Sequence, residues 1–246
     1  MFARYRLWGA GVVMGALAWL PAAAQTSSAT CPVPQDPSRE IGYFADRMAQ
    51  GDAESGHIIG VLYLDGSKSL PKDVSKAFSC FLWAAEKGYA PAQDQVGLMY
   101  ITGQSVPVDR KKAVEWTQKA AEQGLADAEF KMGIFNESGR DIPQNYPKAV
   151  EWYRKAAEQG DPRAQLNLAM MYDNGNGVKY NGVEALKWYR LAGRERKDTD
   201  PKLTATANAR AKKLETQMSP EDIAAANEQA ASFAPVKKPV EKKAAP

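Results

Sequence analysis

Ala113-Val114-Glu115-Trp116-Thr117-Gln118-Lys119-Ala120-Ala121-Glu122-Gln123-Gly124 returns 36 residues later as Ala149-Val150-Glu151-Trp152-Tyr153-Arg154-Lys155-Ala156-Ala157-Glu158-Gln159-Gly160. It returns once more, degraded at its end, as Ala185-Leu186-Lys187-Trp188-Tyr189-Arg190-Leu191-Ala192-Gly193. Upstream, Ala77-Phe78-Ser79-Cys80-Phe81-Leu82-Trp83-Ala84-Ala85-Glu86-Lys87-Gly88 keeps the same frame. A fixed period in this range marks a helical repeat array, and that decides the fold before any single residue is read.

Within the stretch, Ala113, Trp116, Thr117, Ala120 and Ala121 fall at i, i+3, i+4, i+7 and i+8, one face of a helix. Lys and Glu occupy the opposite face. Gly124 supplies a left-handed stop just past the end. The start is marked as well: Asp73, Asp109, Asn145 and Asn181 stand four residues before Ala77, Ala113, Ala149 and Ala185, where an N-cap acceptor belongs. Asn181 with Glu184 has the capping-box pattern.

A second helix is expected upstream in each unit. Ala92, Val96, Gly97 and Tyr100 recur as Ala128, Met132, Gly133 and Asn136, then as Ala164, Leu168, Ala169 and Tyr172; the first unit offers Ser55, Ile59, Gly60 and Tyr63. Between the helices runs a turn with Gly66, Gly103, Gly139 or Gly175, an apolar plug (Leu70, Val106, Ile142, Val178) and usually Pro (Pro71, Pro107, Pro143). A helix–loop–helix unit of this kind cannot bury its apolar face alone, so stacked neighbours complete the core.

These motifs, A-x-x-x-[LVM]-G-x-x-Y-x-x-G, V-P-x-[DN] and K-A-x-x-W-Y-x-K-A-A-E-x-G, resemble the Sel1-like repeat, a relative of the tetratricopeptide repeat. Four units (52–89, 90–125, 126–161 and 162–193) span 142 residues. Unit one departs, with Cys80 in place of the first aromatic and one extra loop residue. The resemblance implies an all-α, right-handed α-solenoid with helical caps and a protein-binding role.

At the N-terminus, Arg4 and Arg6 precede an apolar run from Leu7 to Leu20 and Pro21-Ala22-Ala23-Ala24-Gln25. This reads as a secretory signal over 1–24, cleaved between Ala24 and Gln25. The run is shorter than the ~20 residues that span a bilayer, so no stable membrane insertion is expected after signal removal. Cys31 lacks a lipobox context. The expected location is periplasmic or secreted. Residues 25–37, rich in Ser, Thr, Pro and Ala, read as a linker. Residues 38–51 read as a capping helix with an Ile41, Phe44, Ala45, Met48, Ala49 stripe. Residues 194–234 read as two capping helices, Pro201 to about Met218 and then one opened by Ser219-Pro220, whose Ala225, Ala226, Ala230 and Phe233 are expected to dock on the preceding helix. The Lys/Pro/Ala tail 235–246 is expected to be disordered.

Formal charge is +3 for the whole chain, +1 without Arg4 and Arg6, and −2 once the +3 tail is also set aside. No basic domain surface is implied, so nucleic acid is not an expected partner.

Cys31 and Cys80 are the two cysteines. In an oxidising compartment an even pair suggests a disulfide, worth ~2–4 kcal/mol; alternatively Cys80 fills the aromatic slot as a small buried residue. His57 is the sole histidine, so a histidine-based triad or zinc site would have to use it alone. It reads as a groove or surface residue. Ser69-Leu70-Pro71-Lys72 matches S-x-x-K by letter, and some cysteine-rich relatives of the repeat family are described as β-lactamases or penicillin binders. Here the motif lies in an inter-helix loop interrupted by Pro71, without S-D-N or K-T-G partners. Asn136-Glu137-Ser138 has the N-glycosylation form and reads as chance. No phosphate loop, dinucleotide fingerprint or Cys/His cluster occurs, and neither cofactor nor metal is expected.

The related tetratricopeptide solenoid lines its concave face with the first helix of each unit. Carried over unit by unit, this selects His57, Val61 and Leu64; Asp94, Leu98 and Ile101; Phe130, Ile134 and Glu137; Leu166, Met170 and Asp173. Each set is spaced i, i+4, i+7 on one helical face. Apolar rows edged by Asp and Glu suit an extended or helical peptide. Alternatively, Phe130, Leu166 and other apolar members pack between repeats. The sequence thus points to a non-catalytic envelope scaffold binding a protein or peptide, with a hydrolase of β-lactam or cell-wall substrates as the alternative.

Overall fold

The computed structural model describes residues 29–33, 39–66, 70–195 and 199–236. The expected signal, its Ala24–Gln25 cleavage point, Ser69 and the tail beyond Val236 lie outside the described residues. Eleven α-helices and no strand occur among them. After α1 (Arg39–Ala49) come four pairs: α2 (Ala53–Asp65) with α3 (Val74–Glu86), α4 (Ala90–Thr102) with α5 (Arg110–Glu122), α6 (Ala126–Ser138) with α7 (Tyr146–Glu158), and α8 (Pro162–Asn174) with α9 (Gly182–Ala192). Two more helices, α10 (Pro201–Glu215) and α11 (Pro220–Ala231), close the array.

The repeated start signals act as acceptors. Asp73, Asp109, Asn145 and Asn181 take the backbone N–H of Lys76, Lys112, Lys148 and Glu184 at 2.9–3.1 Å. The backbone N–H of each cap donates in turn to a carbonyl near the end of the preceding helix: Tyr63, Tyr100, Asn136 and Tyr172, at 2.7–3.2 Å. One residue thus starts the second helix and ties it to the first. This tie undoes the capping box expected at Asn181. Its N–H is spent on Tyr172, and the Glu184 carboxylate instead accepts from the Trp188 indole at 3.0 Å. Gly88, Gly124 and Gly160 follow the second helices at φ 84°, 85° and 94°. Gly193 sits at φ −79°, so the fourth unit ends without the left-handed stop.

Each helix from α1 to α9 packs on the next, and α6 also approaches α8, whereas no two second helices pack together as closely. The first helices therefore form the inner layer and the second helices the outer one. Small residues let the layers meet: Ala77, Ala84, Ala113, Ala120, Ala149 and Ala156 are fully buried. Buried amides lock neighbours as well. Gln93 and Gln165 donate to the carbonyls of Ala85 and Ala157, ending the preceding outer helix. Gln123 donates to Gln93 at 2.7 Å, and Gln159 to Glu129 at 2.7 Å and to Gly124 O at 3.0 Å. Buried polar groups are tolerated on such terms.

The ends depart from one expectation. Helix α11 docks on α9 rather than on α10. Its Ile223, Ala226 and Ala230, and Phe233 just beyond its end, join the core of α7, α8 and α9, with Phe233 edge-on to Trp188 at 5.6 Å. The fourth outer helix presents a large indole with no fifth repeat to cover it, and α11 with the following Phe233 packs there instead. At the other end, Cys31 and Cys80 form a disulfide. Cys80 is also fully buried, so the two readings of this residue coexist.

Candidate interaction groove

The inner face carries Val61, Leu98, Ile134 and Met170 at one repeat position, one from each of α2, α4, α6 and α8. Leu98 and Ile134 are 41% and 40% exposed, while Val61 and Met170 are half-buried against the cores on either side. The remaining apolar candidates divide. Leu64 packs against the first core, Ile101 against the second, and Phe130 and Leu166 against the third. Phe130 meets the Tyr153 ring at 5.9 Å. These members line the flanks, and Leu98 and Ile134 stand open at the centre.

One edge is a charged ladder that crosses three repeats. Lys131 reaches Asp94 at 2.7 Å and Asp127 at 2.6 Å. Arg163 reaches Asp127 at 2.6 Å and its neighbour Asp161 at 2.5 Å. The Arg163 guanidinium also covers Phe130, 4.4 Å from the ring centre. Burial opposes ionisation of Asp127, but hydrogen bonds from Lys131 and Arg163 outweigh it and hold the carboxyl at about 2. Asp94, only 8% exposed, is pushed up by burial despite Lys131. Burial also works against the Lys131 ammonium, and the two carboxylates overcome it and raise its pKa. Hydrogen bonding to Asp161 leads the causes that raise Arg163.

The other edge carries the acids of the third and fourth units. Tyr153 donates its hydroxyl to Glu137 at 2.5 Å, and Tyr189, one repeat on, donates to Asp173 at 3.0 Å. Burial, followed by the carboxylate, raises both phenols. Each acid is thereby held at the groove rim by the outer helix of its own unit. His57 lies at the first-unit end, its ring 5.3 Å from both Phe81 and Tyr89. Burial lowers its pKa against the pull of Glu54.

Lys131, Asp127 and Arg163 were not singled out from the sequence. A signal existed: Asp127 and Arg163 stand 36 residues apart, at one repeat position with opposite charge. Among the described residues no group of three or more His, Cys, Asp or Glu side chains could hold a metal ion. Leu70, within the S-x-x-K letters, is a buried loop plug, and Asn136 is buried with its amide on Met132 O, which hides the glycosylation-like site. No helix among the described residues is long and apolar enough to cross a membrane.

The Sel1 repeat family matches residues 57–89, 90–125, 126–161 and 162–195. No curated protein matches the chain. Among solved structures, a Sel1 repeat protein from Oxalobacter formigenes is 31% identical with a TM-score of 0.63, over 78% of this chain and 75% of that one. A protective antigen with an SLR fold from uropathogenic Escherichia coli strains is 27% identical with a TM-score of 0.66. The match covers 78% of this chain but 40% of the antigen, so this chain spans well under half of that protein.

Proposed function

This chain belongs to the Sel1 repeat family, and on that premise we propose that it is an exported, non-catalytic scaffold of the bacterial cell envelope that holds a peptide or protein segment in its inner groove. Sel1 repeats generally mediate protein–protein interaction. The observation that carries the reading is the in-register row Val61–Leu98–Ile134–Met170, open to solvent at Leu98 and Ile134 and flanked by fixed charges. Apolar anchors at regular spacing with polar rims suit an extended or helical ligand. The Cys31–Cys80 disulfide supports export, because such bonds persist in oxidising compartments.

The test is photo-crosslinking in cells from position 134, followed by recovery of the adduct. A single dominant protein adduct that disappears in Leu98→Glu supports the groove. Adducts unchanged by that substitution count against it. Export is read from the mature N-terminus, expected at Gln25 in the periplasm or medium; an intact Met1 contradicts it. Nitrocefin turnover by the purified protein, abolished by Ser69→Ala, would instead support the hydrolase alternative.

A further inference from the structure

One turn beyond the open aliphatic row, the inner helices divide into two kinds. After Val61 and Leu98 come Leu64 and Ile101, which pack into the first and second cores. After Ile134 and Met170 come Glu137 and Asp173. Each of these carboxylates is held from behind by the outer helix of its own unit: Tyr153 donates to Glu137 Oε2 at 2.5 Å, and Tyr189 to Asp173 Oδ2 at 3.0 Å. Burial leads the causes that raise both phenols, so they keep their protons. A neutral hydroxyl fixes the position of a carboxylate without cancelling its charge. Units three and four therefore each present an aliphatic side chain and, one turn on, an anchored acid.

The cations of the groove are already committed. Lys131 lies between Asp94 and Asp127, and Arg163 between Asp127 and Asp161. Among the described residues no lysine or arginine pairs with Glu137 or Asp173, and Glu137 Oε1 and Asp173 Oδ1 accept from none of them. Both residues keep partial exposure. Along the two edges, five carboxylates stand against two cations. Arg210 on α10 acts on the Tyr189 hydroxyl, which leaves Glu137 the less compensated of the two acids.

This charge balance selects among ligands for the groove. A neutral or acidic segment laid over Ile134 would strip water from Glu137 and return nothing, and a desolvated charge without a partner is costly. A lysine or arginine suits both parts of the pair, because its stem covers apolar surface while its head stays at the rim. Resting on the groove reading above, we propose that the occupant is a cationic, aliphatic segment of a partner protein. Its aliphatic side chains cover Leu98 and Ile134, and its basic side chains reach Glu137 and Asp173. Helix α6 approaches α8; packed helices lie roughly 8–10 Å apart, about three residues of an extended chain. Basic residues recurring every third position therefore match successive units.

The probe is a fluorescein-labelled peptide, Ala-Leu-Lys-Ser-Leu-Lys-Ser-Leu-Lys-Ala, followed by anisotropy on titration with the purified protein. Saturable binding is expected, about tenfold weaker when the peptide's lysines are replaced by glutamate. Glu137→Gln with Asp173→Asn should weaken the lysine peptide about tenfold and abolish the preference between the two peptides. Both substitutions keep an oxygen for the tyrosine hydroxyl, so the fold should tolerate them. Glu115→Gln with Glu151→Gln, exposed on the outer helices, should leave the affinity unchanged. Ile134→Ser should weaken binding, since Ile134 is 40% exposed on the groove floor. Binding that Ile134→Ser weakens but that is equal for both peptides leaves the groove reading standing and overturns the cationic partner. Binding indifferent to Ile134→Ser counts against the groove itself and overturns the proposal with it. Absence of saturable binding overturns it too, as does equal loss in the Glu115/Glu151 variant, which would indicate unspecific charge attraction. A tenfold gain in affinity on Lys237→Ala, Lys238→Ala, Lys242→Ala and Lys243→Ala would assign the groove to the chain's own tail instead of a partner, and also overturn it.

Discussion

Gly133 lies directly under the ring of Tyr153: a Cβ placed on the glycine would stand 2.4 Å from two ring carbons. The same position is Gly60 beneath Phe81 in the first unit, and Gly97 beneath Thr117 and the Ala113 carbonyl in the second. Glycine inside a helix costs about 1 kcal/mol relative to alanine, so its recurrence calls for a packing cause. That cause is the side chain of the outer helix one turn beyond the repeated alanine: Phe81, Thr117 or Tyr153.

Gly133→Ala should therefore lower stability by about 1–3 kcal/mol through overpacking, despite its better helix propensity. Urea denaturation is the measurement. A variant more stable than the parent would mean that the ring yields easily and propensity alone decides.

Tyr153 is fully buried, whereas the neighbouring Trp152 is only partly so. Tyr153→Ala should cost about 3–5 kcal/mol, and Trp152→Ala less. Tyr153→Phe removes the hydroxyl's hydrogen bonds with Glu137 and Asn167 and should cost about 1–2 kcal/mol. Hydrogen exchange should show the loosening concentrated in α6 and α7, since repeats couple mainly to neighbours. Equal loss along the whole array would contradict this.

The Cys31–Cys80 bond spans a sequence separation of 49. Its removal by Cys31→Ser should lower stability by ~2–4 kcal/mol through the freed unfolded chain. Thiol titration of the unfolded, unreduced protein should find no free cysteine. Two titrating thiols would show that the bond does not form.

His57 is the sole histidine, so its imidazole gives an unambiguous proton NMR titration. The midpoint should fall below 6.5, because burial disfavours the charged ring. With the folded value depressed, the unfolded chain takes up the proton first as pH falls. The stability this residue contributes is then present above 6.5 and lost below it, down to the folded midpoint. His57→Gln should flatten stability between pH 7 and 5. A midpoint at or above 6.5 would refute the burial argument.

Asp127 acts at lower pH. Its carboxyl is held at about 2 against a usual 3.8. A depressed carboxylate contributes stability above 3.8 that disappears as pH falls towards 2. Asp127→Asn should remove that part of the acid limb in an unfolding-against-pH series. The effect should be modest, because the side chain is 39% exposed and solvent screens it. An unchanged acid limb would show that the ladder contributes nothing measurable.

The inner-face row was legible because tetratricopeptide-like helices repeat at fixed spacing. The charged ladder was legible only in part: Asp127 and Arg163 keep the 36-residue period, but the other rung links unlike positions, with Asp94 and Lys131 37 residues apart. The docking of α11 was misread for a related reason. Its stripe of Ala and Phe specifies an apolar partner but not which one. The choice fell to α9, whose Trp188 had no further repeat to cover it.

The sequence by itself determined the helices of the four repeats, where they start and their order in the stack. Caps, stop glycines and apolar spacing act within a few residues of themselves, and the period copies them from unit to unit. Tertiary structure alone decided which side chains remain open. Phe130 and Ile134 share one helical face and both read as groove residues, yet Phe130 is covered by Tyr153 and Arg163 while Ile134 stays 40% exposed. Burial depends on what neighbouring repeats bring across the gap, and that distance is set by packing between units, not by the pattern within one.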